Sequence, residues 1–407
     1  MAQNESRMDT IAAVITPPGE GGVAAVRVAG PLSVDILGQV FHPLGGRSGS
    51  MPPPFRMRYG TMVDGDGHTL DEVMAVYMPA GRSYTGLHQV EIFCHGGRLI
   101  VRRILDEILA HGARAAEPGE FTKLAFLNGR IDLSRAEAVA EMIAANTYQS
   151  LKASREHLLG AYTDHIAALR ERLVRVLAEL EASIDMSEEE IDPAETRQLA
   201  QTLEQVARDL DTLAASYRGG RILREGFVIA IAGRPNAGKS SLFNRLLAQE
   251  RALVDPEAGT TRDYLAEWID LDGFAVNLVD TAGLRDDGGS VEQMGQARSR
   301  ERVKAADLLL WLVDVAEAGW EKHLADDLSQ LEARSMFIVG NKVDLLEKVE
   351  LPEAIVGQKL IPTSCVTEAG LSELRGRLVD YINIVMPDLT SGLIVTSARH
   401  KEKIEQA

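Results

Sequence analysis

Gly233-Arg-Pro-Asn-Ala-Gly-Lys-Ser240 fits the pattern G-x-x-x-x-G-K-[ST]. The run before it, Phe227-Val-Ile-Ala-Ile-Ala232, reads as a short buried strand. The run after it, Ser241-Leu-Phe-Asn-Arg-Leu-Leu247, reads as a helix. Strand, glycine loop and helix in that order form a phosphate-binding loop. Backbone N–H groups of the loop and the positive end of the helix cradle phosphate oxygens. The contact set expected here is Asn236, Ala237, Gly238, Lys239, Ser240 and Ser241. Lys239 reaches the β and γ oxygens, and the Ser240 hydroxyl holds Mg²⁺.

Three further motifs follow in the order a GTPase needs. Asp280-Thr-Ala-Gly283 ends an apolar, strand-like run. Asp280 is placed to hold the Mg²⁺ shell through water and the Gly283 N–H to meet a γ-phosphate, with Thr281 and Ala282 in the turn. Asn341-Lys-Val-Asp344 follows Met336-Phe-Ile-Val-Gly340, another buried strand. The Asp344 carboxylate accepts two hydrogen bonds from guanine N1–H and the N2 amino group. Adenine lacks that donor pair and leaves a buried carboxylate unpaired. Asn341 and Lys342 join the same contact set. Ser364-Cys365-Val366, after Lys359-Leu-Ile-Pro-Thr363, matches a backbone loop that touches guanine O6. Each motif alone is weak; four in order, each at a strand end, are specific.

The 407 residues imply two or three domains. Hydrophobic content of 45% and charged content of 25% fit a globular chain, and no apolar run reaches bilayer length. The start, Met1-Ala-Gln-Asn-Glu, lacks a secretory signature. The two cysteines, Cys94 and Cys365, lie far apart, which argues against a disulfide framework and fits a reducing cytoplasm. A formal net charge of −17 argues against broad polyanion binding, though not against a local basic patch.

Residues 1–125 read as an α+β domain. Its strands are Ile11–Ile15, Val23–Val28, Val73–Met78 and Val90–Phe93, and its helices Pro31–Val40 and Arg98–His111. Pro17–Gly22 and Pro52–Pro54 read as turns. Residues 126–225 turn helical. One core stripe runs through Tyr162, Ile166, Leu169, Leu173, Val176 and Leu180, and a second through Leu199, Leu203, Val206, Leu210 and Leu213. The acidic stretch Ser187–Pro193 between them reads as a solvated turn. Residues 226–383 alternate strand and helix, which predicts a mostly parallel sheet covered on both faces. Residues 384–407 begin a helix and stop without a cap, which reads as a chain cut inside a domain.

Taken together the chain resembles the MnmE (TrmE) family of tRNA-modification GTPases. The resemblance rests on Thr16–Val23, His95-Gly-Gly97, Pro118–Leu133, Ala136-Glu-Ala138, Leu223–Gly226, Ala258-Gly-Thr-Thr-Arg-Asp263 and Asp280–Arg285. It implies a multidomain α/β and α+β fold: an N-terminal tetrahydrofolate-binding-like and dimerisation domain, and a P-loop GTPase domain inserted into an α-helical bundle. It implies a homodimer that works with an FAD-dependent partner of the MnmG type, as a heterotetramer, on the wobble uridine of tRNA. The one-carbon donor would be a tetrahydrofolate derivative. Its pterin site maps onto Arg27, Glu91 and Arg130; a structural Arg27–Glu91 pair is the competing reading.

Leu284 stands where many GTPases orient water with glutamine. The resemblance implies two substitutes. A K⁺ ion would be held by Asn236, Thr260 and backbone carbonyls around Asp255 and Glu257, and Glu292 would act through a bridging water. Thr261 would complete the Mg²⁺ shell opposite Ser240. The family's C-terminal cysteine tail is not found after Ala407, and neither Cys94 nor Cys365 replaces it, so the expectation is GTP hydrolysis without completed tRNA modification. Two alternatives stay open at this point. One is a ribosome-assembly GTPase of the Era/EngA type, for which neither a KH domain nor a second GTPase domain is found. The other is a GTP-regulated, non-enzymatic dimeric scaffold.

Overall fold

The computed structural model describes residues 9–45, 52–184, 193–249, 251–252, 266–280, 306–329, 335–346, 352, 354–355, 358–386 and 394–407. The chain divides into two compact units, Met1–Ala140 and Glu141–Ala407.

The first unit is built on a seven-stranded sheet. Its strands are β1 (Ile11–Val14), β2 (Gly21–Ala29), β3 (Phe41–Pro43), β4 (Arg58–Val63), β5 (Thr69–Met78), β6 (Gln89–Gly96) and β7 (Arg114–Ala115), in the order β3-β4-β5-β6-β2-β1-β7. Helices α1 (Ser33–Val40) and α2 (Arg98–Ala110) bury Ile36, Leu37, Ile104 and Ile108 against Val26, Val28, Val90 and Ile92. Alternation explains the strands: Val90, Ile92 and Cys94 of β6 are buried, while Glu91, Phe93 and His95 are not. The predicted strands and helices are present, within a few residues at their ends. β2 extends back to Gly21, so Gly21 and Gly22 are strand rather than turn. β3, β4 and β7 are additions to the expected set. Helix α3 (Glu120–Leu127) follows β7.

Beyond it come α4 (Leu133–Ala144), α5 (Tyr148–Leu159), α6 (Ala161–Ile184), α7 (Pro193–Ala215) and α8 (Tyr217–Glu225). Thr147 caps α5 with a reciprocal Ser150 bond. The stripes on α6 and α7 are only partly core. Tyr162, Leu169, Val176, Val206 and Leu213 are buried, but Leu173, Leu180 and Leu203 are exposed, contrary to the reading of the stripes as bundle core. A helical period marks which residues share a face, not what covers them. The expected acidic turn at 187–193 lies outside the described residues but for the start of α7.

The second sheet has eight strands: β8 (Phe227–Gly233), β9 (Arg251–Ala252), β10 (Ala266–Leu271), β11 (Phe274–Asp280), β12 (Leu308–Asp314), β13 (Met336–Asn341), β14 (Ala354–Ile355) and β15 (Gln358–Pro362). The order is β14-β15-β13-β12-β8-β11-β10-β9. The five central strands, β15, β13, β12, β8 and β11, run parallel, as continuous apolar runs such as Leu308–Val313 require. The edges are antiparallel. Helices α9 (Lys239–Gln249), α10 (Trp320–Leu328) and α11 (Leu371–Val385) belong to the same half of the chain. Phe227, Ile229, Ile231, Leu242 and Leu378 are nearly inaccessible in the core. Truncating Phe227 to alanine would cost about 3–5 kcal/mol.

Helix α12 (Ala398–Gln406) and the extended residues before it dock on α4–α8. His157 Nε2–H donates to the Ile394 carbonyl at 2.6 Å, and Val395 N–H donates to Ser216 Oγ at 3.0 Å. Thr396 Oγ1–H donates to Glu141 Oε1 at 2.9 Å, and Tyr162 stacks on His400 with centroids 5.1 Å apart. Gly220 permits this approach: a Cβ there would stand 2.1 Å from the Val395 oxygen.

Candidate nucleotide site

The candidate site is formed at the C-terminal ends of the parallel strands, where open α/β sheets bind ligands. β8 delivers the chain into the loop 234–238, and α9 begins at Lys239. Asn236 adopts φ 64°, a left-handed conformation that asparagine tolerates better than most residues. Lys239 Nζ donates to the Arg234 carbonyl at 2.8 Å, so the lysine folds back over the loop it closes. Ser240 Oγ–H donates to Asp280 Oδ2 at 3.0 Å. Asp280 ends β11, which lies beside β8 with Asp280 opposite Ile231, and it is only 3% exposed. A hydroxyl and a carboxylate side by side are the hard oxygen donors Mg²⁺ takes.

The second half of the site comes from β13 and β15. Asn341 ends β13, Lys342 follows at φ 71°, and Val343–Leu345 form a 3₁₀ turn carrying Asp344. The buried Asn341 side chain joins three segments. Its Nδ2 donates to the Ala237 carbonyl at 2.9 Å, and its Oδ1 accepts the Cys365 N–H at 3.3 Å. Lys342 Nζ pairs with Asp314 Oδ2 at 2.5 Å, across the β12–β13 register that sets Asp314 opposite Asn341. Ser364 Oγ–H donates to Asp344, and the same oxygen accepts the N–H groups of Val366 at 3.2 Å and Thr367 at 3.1 Å. One hydroxyl thus fixes both the expected guanine carboxylate and the turn beside it. Burial pushes the Cys365 thiol above its ordinary pKa, which keeps it protonated and inert.

The described part of the expected set, Asn236–Ser241, Asp280, Asn341, Lys342, Asp344 and Ser364–Val366, is thus gathered around one strand-end surface. Asp255, Glu257, Thr260, Thr261, Thr281, Ala282, Gly283 and Glu292 lie outside the described residues. Sequence reasoning missed three supports. Arg234 makes a bidentate pair with Asp327 of α10, both bonds 2.9 Å, anchoring the mouth of the phosphate loop. Asp314 holds Lys342. Arg245 joins α9 to the 365–368 turn. These are pairs made by folding between distant residues, so no local pattern announces them.

In the first unit, Arg27 and Glu91 are direct cross-strand partners on β2 and β6. Arg27 Nε and Nη2 both lie 2.8 Å from Glu91 Oε1. The guanidinium carbon stands 5.3 Å from the ring centroids of both Tyr84 and Phe121. Gln89 Nε2 donates to the same Glu91 oxygen at 3.1 Å. Arg130 is not bonded to this pair; its Nη1 donates to the Gly81 carbonyl at 3.0 Å, in the loop that carries Tyr84.

The family description "GTP-binding protein TrmE N-terminus" matches residues 10–130, and "MnmE helical domain" matches residues 133–407. A tRNA modification GTPase MnmE from Carboxydothermus hydrogenoformans is 41% identical over 404 residues, covering 98% of this chain and 87% of the relative. The protein of that name from Moorella thermoacetica is 42% identical over 408 residues, with the same 98% and 87% coverage. Among solved structures, the G domain of the T. maritima FeoB iron transporter aligns with 38% of this chain and 98% of its own at 23% identity, TM-score 0.28. With both family descriptions matched end to end and these identities sustained over nearly the full length, the chain belongs to the MnmE family of tRNA modification GTPases.

Proposed function

We propose that this enzyme couples GTP hydrolysis to modification of the wobble uridine (U34) of tRNA at C5, as a homodimer in the cytoplasm. It acts with an FAD-dependent partner of the MnmG type and a tetrahydrofolate one-carbon donor, adding an aminomethyl or carboxymethylaminomethyl group. The observation that carries this reading is the joining of the phosphate loop, Asp280 and the 341–344 turn at one sheet end, in a chain of this family. No helix among the described residues is long and apolar enough to cross a membrane. Membership in the family sets aside the ribosome-assembly reading. The hydrolase chemistry of its relatives sets aside the non-enzymatic scaffold.

Hydrolysis joins water oxygen to the γ-phosphorus and breaks its bond to the β–γ bridging oxygen, leaving GDP and phosphate. Loop N–H groups around Gly238, with Lys239, hold the oxygens on which charge accumulates. Ser240 and Thr261 are the proposed Mg²⁺ ligands, with Asp280 behind them; the bound ion neutralises phosphate charge. Asn236, Thr260 and the carbonyls around Asp255 and Glu257 are proposed to hold K⁺, a second positive charge. The Asn236 carboxamide is the neutral oxygen donor such an ion accepts. Glu292 is proposed to position the attacking water and the Gly283 N–H to meet the γ-phosphate, with Thr281 and Ala282 in the same contact set. Asp344 reads the guanine N1 and N2 donors while Ser364–Val366 face O6. In the N-terminal unit, Arg27, Glu91 and Arg130 are proposed to take the pterin.

Mass spectrometry of tRNA from host cells lacking the gene tests this reading. We expect the aminomethyl-type group to vanish from wobble uridines and to return with the gene. An unchanged tRNA profile would overturn it.

A further inference from the structure

Cys365 has both of its backbone polar groups tied to side chains from elsewhere in the fold. Its N–H donates to Asn341 Oδ1 at 3.3 Å, and its carbonyl accepts Arg245 Nε–H at 2.8 Å. The same guanidinium donates from Nη1 to Glu368 Oε1 at 2.6 Å. Arg245 therefore spans the turn: one donor holds its second residue, the other its fifth. The turn needs holding. Glu368 sits at φ 64°, a left-handed conformation costly for a residue with a Cβ. The loop also closes on itself through Ser364 N–H to the Ala369 carbonyl at 2.9 Å.

The carbonyl bond outweighs the ion pair. The Arg245 and Glu368 side chains are 39% and 51% exposed, so solvent screens their charges. The Cys365 residue, by contrast, is 8% exposed. Its carbonyl shares a peptide plane with the Val366 N–H. Without the guanidinium that plane keeps only the longer Val366 N–H bond to Ser364 Oγ, at 3.2 Å, and turns more readily. A turned plane presents an acceptor where guanine O6 needs a donor. Arg245 also lies on α9, whose first turn contains Lys239 and Ser240.

We propose that Arg245 is a positioning residue for base recognition: it locks the 364–368 turn in the shape that reads guanine O6 and ties that turn to the phosphate-loop helix. The proposal rests on the guanine reading of Asp344 and Ser364–Val366. Arg245 touches no part of the nucleotide itself; it acts through Cys365.

A pair of ligands separates this role from a general structural one. GDP carries O6; 2-aminopurine riboside diphosphate keeps the N2 amino group and both phosphates but lacks O6 and the N1 proton, and the N1 loss at Asp344 is common to the wild type and the Arg245 variants. Arg245→Ala should weaken GDP by about tenfold, the size of one lost charge-assisted hydrogen bond. The same change should leave the 2-aminopurine nucleotide within about twofold. Arg245→Lys, which can satisfy one of the two acceptors, should fall between. If Arg245→Ala does not fold, Arg245→Lys reports through the same ratio. Equal losses for both nucleotides, or no loss for either, would overturn the proposal. Asp344→Asn measured in parallel keeps the two questions apart. If it retains guanine over xanthine, the guanine reading falls. If it switches while the Arg245 variants leave the ratio unmoved, Arg245 alone is wrong.

Discussion

The Asn341 carboxamide donates to the Ala237 carbonyl at 2.9 Å, so the turn expected to read the base is bonded directly to the loop expected to hold the phosphates. The contact is close because the residue after Ala237 has no side chain. At Gly238, φ is 96°, and a Cβ would stand 2.2 Å from Asn341 Nδ2.

Gly238→Ala should therefore break both halves of the site at once. It forces a left-handed alanine and displaces Asn341, a strain of about 1–3 kcal/mol. Guanine-nucleotide affinity should fall by at least about tenfold, and a given GDP concentration should raise the melting temperature less than in the wild type. Calorimetric titration with GDP checks this. Wild-type affinity would show that the loop and the Asn341 turn move independently.

Much of this arrangement was legible in the sequence, for identifiable reasons. Phe227–Gly233 and Leu308–Asp314 are apolar without alternation because both faces of a central parallel strand are buried, and the glycine loop could only follow such a strand. The strand Arg58-Tyr-Gly-Thr-Met-Val63 was not legible; arginine and glycine hide its alternation, and only pairing with β3 and β5 reveals it. Leu173, Leu180 and Leu203 were misread as core because a helical period says which residues share a face, not what covers them. Arg234–Asp327 and Arg245–Glu368 join residues 93 and 123 positions apart, a relation created by packing alone.

The proposed K⁺ and Glu292 roles carry a separable expectation. Phosphate release from GTP should be strong in K⁺ and fall by at least about tenfold in Na⁺ of equal ionic strength. Glu292→Ala should lower kcat with little loss of nucleotide affinity, because a water-positioning group acts mainly in the transition state. Equal rates in the two salts would remove K⁺ from the account. A parallel loss of affinity would make Glu292 a structural residue.

Arg27→Ala should abolish binding of 5-formyl-tetrahydrofolate while GTP turnover stays within about twofold, since the two candidate sites are built on separate compact units of the chain. Isothermal calorimetry and a phosphate-release assay read the two effects separately. Undiminished folate binding would leave the Arg27–Glu91 pair, 2.8 Å apart, as a purely structural bridge.

Thiol chemistry gives a pH test of the fold. Burial, with a smaller contribution from the nearby Asp71 carboxylate, pushes the Cys94 thiol up to about 11. Burial raises Cys365 as well. The folded pKa exceeds the unfolded one in both cases, so the folded state holds these protons longer. Their contribution to stability is complete below the unfolded thiol pKa and is lost as pH rises through the folded values. For Cys94 that window runs from about 9 to about 11. At pH 8 neither cysteine should react with a thiol reagent in the native protein, and both should react after denaturation. Fast native labelling of Cys94 would contradict its placement in the sheet.

The most direct test of the central claim is the base specificity of turnover. The wild-type chain should release phosphate from GTP and not from ATP or XTP. Asp344→Asn replaces an acceptor-only carboxylate with a group that also donates. It should lose at least about 100-fold in kcat/KM for GTP and gain turnover of XTP. A variant that still prefers GTP to XTP, or a wild-type protein that hydrolyses ATP as readily as GTP, would contradict the account.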